Sequence, residues 1–169
     1  MSQLATLKDV DVIRILGMEP HPIEGGHYVE SYHDRPMDGG LGDVTCIYFL
    51  LRANERSRWH RNNAHEIWLF HAGSAVELTT WTVGQPIQKH VVGPDLAAGQ
   101  RPQALVPAGV WQTATPLCGW GLVACVVSPA FQFSGLEFAP EEWTPDDGIP
   151  PAGQISILAD TEQIGLHGK

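Results

Sequence analysis

Two stretches of the sequence hold the side chains best suited to chemistry. The first runs from Trp59 to Gly73 and contains His60, Asn62, His65, Glu66, Trp68, Phe70 and His71. Read with a period of two, His60, Asn62, Glu66, Trp68 and Phe70 fall on one face. A turn near Arg61 to Ala64 then joins two strands that aim His60 and Glu66 into one space. The second stretch, Gln103 to Gln112, runs a strand into Pro107-Ala108-Gly109 and returns with Trp111 and Gln112. An imidazole and a carboxylate in a shared pocket can transfer protons, bind a polar ligand or contribute to a metal site. Enclosure by Trp68 and Phe70 would raise the Glu66 pKa, and a charged His60 would lower it. The plainer alternative is that His60 and Glu66 only hydrogen-bond one another and pin the fold.

Positioning these groups requires strands. Thr6 to Leu16 reads as one amphipathic helix, with Thr6 as N-cap, Leu7, Val10, Ile13 and Leu16 at helical spacing, and Gly17 as the stop. Met18 to Gly26 carries two prolines and two glycines and reads as a shaped loop without regular structure. A strand from His27 to His33 follows, with Tyr28, Glu30 and Tyr32 on one face. Further strands are expected at Val44–Leu51, Val76–Val83, Ile87–Val92 and Gly119–Val127, separated by loops at 34–43, 84–86 and 94–100. Phe131, Phe133, Leu136 and Phe138 extend the core or an interface. Beyond Trp143 the sequence becomes linker-like, and this tail is expected either to be loose or to dock on a neighbouring subunit. One helix and about nine or ten short strands imply an antiparallel sandwich or a closed barrel.

Composition narrows the function. The chain has 169 residues, 18 glycines, 13 prolines and 6 tryptophans, as suits one domain of short strands and tight turns. A formal charge of −9 argues against non-specific nucleic-acid binding. Cys46, Cys118 and Cys125 show no zinc-ligand spacing, and Cys46 and Cys125 lie in apolar runs as buried thiols. No signal peptide and no membrane-length apolar run is visible, so a cytoplasmic location is expected, with no membrane partner.

The two chemical stretches resemble the motifs of the cupins, whose fold is a double-stranded β-helix, or jelly-roll barrel. His60, Glu66 and Gly73 match the first cupin motif, with Asn62 where its second histidine belongs. Pro107-Ala108-Gly109 matches the turn of the second motif, with Gln112 in the histidine position. More specifically, the chain resembles the DUF985, or Cupin_5, family from about Met18 to Phe138. That likeness rests on Pro20-His21-Pro22, Glu24-Gly25-Gly26, Ile47 to Leu51, Ser57, Trp59-His60-Arg61, Glu66-Ile67-Trp68, Val106 to Gln112, and Cys125 to Phe131. Ile23 and the tail after Trp143 depart from it. The resemblance implies an all-β cupin jelly roll with an N-terminal helix, a pocket inside the barrel and a homodimeric assembly. The division that follows is a helix in 1–17, a barrel in 18–143 and a C-terminal extension in 144–169.

The cupin metal is ordinarily held by three imidazoles and a carboxylate, and here amides replace two of the imidazoles. A site of His60, Glu66 and Gln112 would hold a zinc, nickel, iron or manganese ion weakly. The expected ligand site is Tyr28, Glu30, His60, Asn62, Glu66, Trp68, Phe70 and Gln112, receiving a small polar metabolite of sugar or nucleotide type. Two further readings stay open: a sugar isomerase or epimerase using His60 and Glu66 as acid and base, and a metal-dependent enzyme with an incomplete ligand set. Trp59 and Trp111 have the opposite parity and are expected in the core or an interface. Arg61 would either steer an anionic ligand or lie on a turn surface.

Overall fold

Helix α1 spans Asp9–Leu16, with Asp9 and Asp11 in its first turn and Arg14 in its last, each favourable to the helix dipole. It starts later than the Thr6 capping pattern suggests, from a Lys8 that gives no side-chain cap. Thr6 lies outside the residues that the computed structural model describes, which are 7–150 and the strand Ser156–Ile157. Gly17 closes the helix in the left-handed region at φ 65°. Its N–H reaches the Arg14 carbonyl and that of Met18 reaches Ile13, a pairing that satisfies the helix's last carbonyls.

Among the described residues twelve strands follow in chain order: β1 Glu19–Pro20, β2 His27–His33, β3 Thr45–Leu51, β4 His60–Asn62, β5 His65–Gly73, β6 Val76–Trp81, β7 Gln88–Val92, β8 Gln103–Val106, β9 Trp111–Pro116, β10 Gly121–Ser128, β11 Leu136–Phe138 and β12 Ser156–Ile157. The short β1 lies in the stretch expected to lack regular structure, because Glu19 and Pro20 pair with Tyr28 and His27. The strands form two antiparallel six-stranded sheets, ordered β1-β2-β3-β10-β5-β8 and β12-β11-β4-β9-β6-β7. The jelly roll is therefore two facing sheets, and among the described residues they are not hydrogen-bonded into one closed barrel.

Strands β4 and β5 are joined only by Asn63 and Ala64, yet they belong to different sheets. The corner is pinned on both sides. Asn63 donates to the Gly135 carbonyl at 3.0 Å, and Gly109 donates to the Asn62 carbonyl at 2.7 Å. The Pro107–Val110 turn likewise carries the chain from β8 in one sheet to β9 in the other. Gly73 ends β5 at φ 78°, and a Cβ there would collide with the Trp120 carbonyl, so the position takes glycine.

Between the sheets, Phe49, Trp68, Leu78, Val92, Val106 and Val123 form the main core. Trp68 and Phe49 meet edge to face at 5.9 Å. On the outer side of the first sheet, Val12 and Ile13 of α1 pack on Leu50, Ala72 and Leu122. A third cluster joins Trp59, Trp81 and Trp111 around Trp143, with ring centroids 5.3–5.7 Å from Trp143. Thr144 then caps a 3-10 turn at Pro145–Asp147, and the Trp143 indole donates to the Gly148 carbonyl at 3.0 Å. The side chains of the extension beyond residue 150, and with them the expected docking on a neighbour, lie outside the described residues.

Candidate functional site

The first sheet supplies Tyr28, Glu30, Thr45, Ile47, Glu66, Cys125 and Val127 to one cavity of about 80 Å³ between the sheets. The second sheet adds His60, Asn62 and Leu136, the Pro20–Gly26 loop adds His21 and Glu24, and Phe131 and Phe133 complete the lining. Of the site expected from sequence, Tyr28, Glu30, His60, Asn62 and Glu66 come together here. Trp68, Phe70 and Gln112 do not line it. They share the inward parity but sit deeper along the strands, where Trp68 and Phe70 belong to the packed core and Gln112 is fully buried. Tyr32 also leaves the face predicted for it. A bulge pairs Glu30 with Ile47 but Tyr32 with the adjacent Cys46, turning Tyr32 out to 55 % exposure.

His21 and Glu24 are the residues missed by strand-parity reasoning. Their loop is held by its own backbone: His21 N–H donates to the Gly26 carbonyl at 3.0 Å, and Arg58 N–H donates to the Glu24 carbonyl at 2.7 Å. Gly26, at φ 71°, lies so close to β3 that a Cβ would meet the Leu50 carbonyl at 2.8 Å. The available signal was a histidine and a glutamate within a loop too rich in proline and glycine to be slack.

The hydrogen bonds fix the tautomers of the two cavity histidines. His60 Nδ1 lies 2.8 Å from the Arg58 carbonyl, which can only accept, so Nδ1 carries the proton. Nε2 then presents a lone pair to the cavity, 3.9 Å from Glu24 Oε1. Among the described residues, nothing hydrogen-bonds this atom, although the His60 side chain is only 2 % exposed. His21 is arranged the opposite way. Its Nδ1 accepts the Glu24 backbone N–H at 2.9 Å, leaving the proton on Nε2, 3.9 Å from Glu24 Oε2.

Burial dominates the electrostatics. It raises the Glu24 carboxyl to a pKa of about 8 and, with help from His60, lowers His21 to about 4. Burial also lowers His60, against the pull of Glu66 and the Arg58 carbonyl. Glu66 is raised by burial, opposed first by His60. At neutral pH the cavity therefore holds neutral imidazoles beside a protonated Glu24. Glu30, at the mouth, is paired externally with His33 at 3.0 Å and Arg35 at 3.2 Å.

Gln112 acts behind the cavity wall. Its amide nitrogen donates to Glu66 Oε2 at 2.6 Å, and its oxygen accepts the Trp68 indole N–H at 3.0 Å. This bears directly on the expected metal set of His60, Glu66 and Gln112. The Gln112 oxygen faces Trp68, its nitrogen occupies Glu66, and the Asn62 oxygen accepts the Ala64 N–H at 3.3 Å. The residues in the cupin ligand positions do not fit a metal ion. Of the other histidines in the Trp59–Gly73 stretch, His65 is exposed and accepts the Ala108 N–H, and His71 is exposed against Tyr48. Arg61 does not steer ligands into the cavity, because it is bound to Glu137 at 2.7 Å and lies over Trp111.

Two facing antiparallel sheets with a cavity between them, linked by a two-residue corner and a Pro-x-Gly turn, define a cupin. The chain belongs to the Cupin_5 family, Cupin superfamily (DUF985), whose model matches residues 10–139. It is similar to a Shewanella oneidensis protein solved by X-ray crystallography: 38 % identity, 80 % of this chain and 86 % of that one covered, TM-score 0.75. A hypothetical protein from Leishmania major is 27 % identical over 79 % of this chain and 88 % of that one, at TM-score 0.72. Oxalate decarboxylase from Bacillus subtilis shares the fold alone, at 12 % identity, 70 % and 29 % coverage and TM-score 0.54. A comparison with curated proteins gave no match.

Proposed function

We propose that the cavity binds a compact polar metabolite without a metal ion. The observation that carries this reading is His60 Nε2: an acceptor on a side chain only 2 % exposed, bordering the cavity, with no hydrogen bond among the described residues. A ligand donor entering there meets an acceptor whose tautomer the Arg58 carbonyl already holds. The surroundings suit a molecule with a polar head and an apolar flank, since Ile47, Val127, Phe131, Phe133 and Leu136 line the cavity together with the carboxyl and imidazole groups. A cavity of about 80 Å³ takes a small molecule or one end of a larger one, and is too tight for a whole nucleotide sugar. A shallower groove bounded by Glu30, His33, Arg35 and Phe131 adjoins it and has room for the remainder of a longer ligand.

A second reading is favoured by one contact. The Glu24 carboxyl faces the His60 lone pair across 3.9 Å, so a base and an acid of shifted pKa flank the same space. In an isomerase-type reaction His60 would take a proton from a carbon beside a carbonyl, and Glu24 or Glu66 would supply one in return.

One experiment separates the two readings. Native mass spectrometry of freshly purified protein should show a small compound that denaturation releases and that His60→Gln loses. Incubating that compound with the protein in heavy water should leave its carbon-bound hydrogens in place if the cavity only binds, and exchange them if it also catalyses. Wild type and variant that carry no compound, and whose cavities admit none from a metabolite mixture, would defeat both readings.

A further inference from the structure

The charge balance of the cavity points to a narrower class of ligand. Glu24, Glu30 and Glu66 line it, and among the described residues no lysine or arginine does. The nearby guanidinium groups are committed elsewhere. Arg58 donates to the Ala139 carbonyl at 2.7 Å and lies over Phe138, and Arg61 is held by Glu137. Arg35 balances Glu30 from outside at 3.2 Å. That leaves Glu24 and Glu66 facing the interior with no cationic partner. Glu24 meets only the two imidazoles at 3.9 Å, and Glu66 accepts only from neutral groups, the Gln112 amide at 2.6 Å and the Cys125 thiol. A buried carboxyl without a partner is expensive to ionise, and a cation brought to it is correspondingly well held.

The aromatic part of the lining is suited to the same ligand. Phe131 and Phe133 line the same cavity and stand edge to face at 5.0 Å. Aromatic faces attract organic cations and offer nothing to an anion. An inorganic divalent ion would gain nothing from these rings and would need the ring of donors that the Asn62 and Gln112 hydrogen bonds deny it.

We propose that the ligand of this cavity carries a protonated amine, held in the space that Glu24, Glu66, Phe131 and Phe133 line together, with His60 Nε2 accepting one of its N–H bonds. The proposal rests on the cavity being a binding site and adds the sign of the ligand's charge.

Three probes of one shape and different charge test it: isobutylammonium, isobutanol and isobutyrate, each titrated against the full-length protein at pH 7.5 by protein- and ligand-observed NMR. The ammonium should bind at least tenfold more tightly than the alcohol, and isobutyrate should shift no cavity resonance. Glu24→Gln should bring the ammonium down to the affinity of the alcohol while leaving the alcohol unchanged. Should that variant not fold, Phe133→Leu, at the mouth, should weaken the ammonium severalfold more than the alcohol. Equal affinities, or a preference for isobutyrate, would overturn the charge assignment and leave the binding cavity intact. Failure of all three probes would overturn both. Displacement of the ammonium by stoichiometric zinc or magnesium would overturn the organic cation in favour of a metal ion.

Discussion

Gln112 occupies a position where cupins are expected to place a metal-binding histidine, and its amide is used for a different purpose. The donation from Trp68 and the donation to Glu66 are both made inside the protein, so the side chain joins the core to the cavity. Replacing it by leucine orphans two buried polar groups, each costing about 1–3 kcal/mol. The expected loss for Gln112→Leu is about 2–6 kcal/mol in urea denaturation, from two such terms. Adding Trp68→Phe removes one orphan and should recover part of the loss, a non-additivity that a double-mutant cycle reads directly. If Gln112→Leu costs nothing, the chain of hydrogen bonds contributes no stability. The sequence placed His60, Asn62 and Glu66 on a common face because strand parity is local. It could not distinguish Trp68 and Gln112 from them, since depth along a strand depends on what the facing sheet brings opposite. His21 and Glu24 were not visible for a related reason: a Pro- and Gly-rich loop has no period, and only the folded chain lays it over β3.

At the scale of elements, the strand limits inferred from turn residues agree closely with the structure. His27–His33 is β2 in full, and Val44–Leu51 differs from β3 by one residue. Local patterning could not show which consecutive strands change sheet, nor that closure would stop at two facing sheets. The tryptophans make a related point. Trp59 and Trp111 were expected in a core or an interface from parity alone, and the structure places them in a core that Trp143 completes. Trp143 is distant in sequence and lies at the edge of the linker-like tail, so no short-range signal ties it to the others. Trp143→Ala should cost about 3–5 kcal/mol, the usual range for deleting a buried aromatic side chain. Thermal unfolding monitored by circular dichroism checks this, and an unchanged midpoint would mean that the cluster is dispensable.

For the whole molecule, the buried titratable groups set a pH profile for stability. Glu24 titrates at about 8 when folded and at the usual 4.5 when unfolded. Between those values the folded state holds a proton that the unfolded chain has lost, and stability falls as pH rises, by about 1.4 kcal/mol per unit at most. Glu66, also raised, acts in the same direction. His21 works the other way: lowered to about 4 from 6.5, it makes stability rise with pH across that interval, and the lowered His60 adds to this. The opposing slopes offset one another between about 4.5 and 6.5, and the glutamates act alone above it. Stability measured by urea titration should therefore decline from pH 6.5 to 8. In Glu24→Gln the decline should flatten, with a steeper rise below pH 6.5. A wild-type profile that climbs toward pH 8 would show that Glu24 is ionised in the folded protein.

The Asn63–Ala64 corner constrains which length changes the chain can accept. Because His60 precedes it in one sheet and Glu66 follows it in the other, one inserted or deleted residue would reverse the facing of β5 while leaving β4 in place. Glu66 and Trp68 would turn to the outside, Ile67 and Leu69 would enter the core, and the cavity would lose half its polar wall without any side chain having been substituted. The loop at 34–43 imposes no such restriction, since residues added at its tip leave the facing of β2 and β3 unchanged. Diversity in ligand size can therefore accumulate by lengthening that loop beside Arg35, while the corner keeps its two residues.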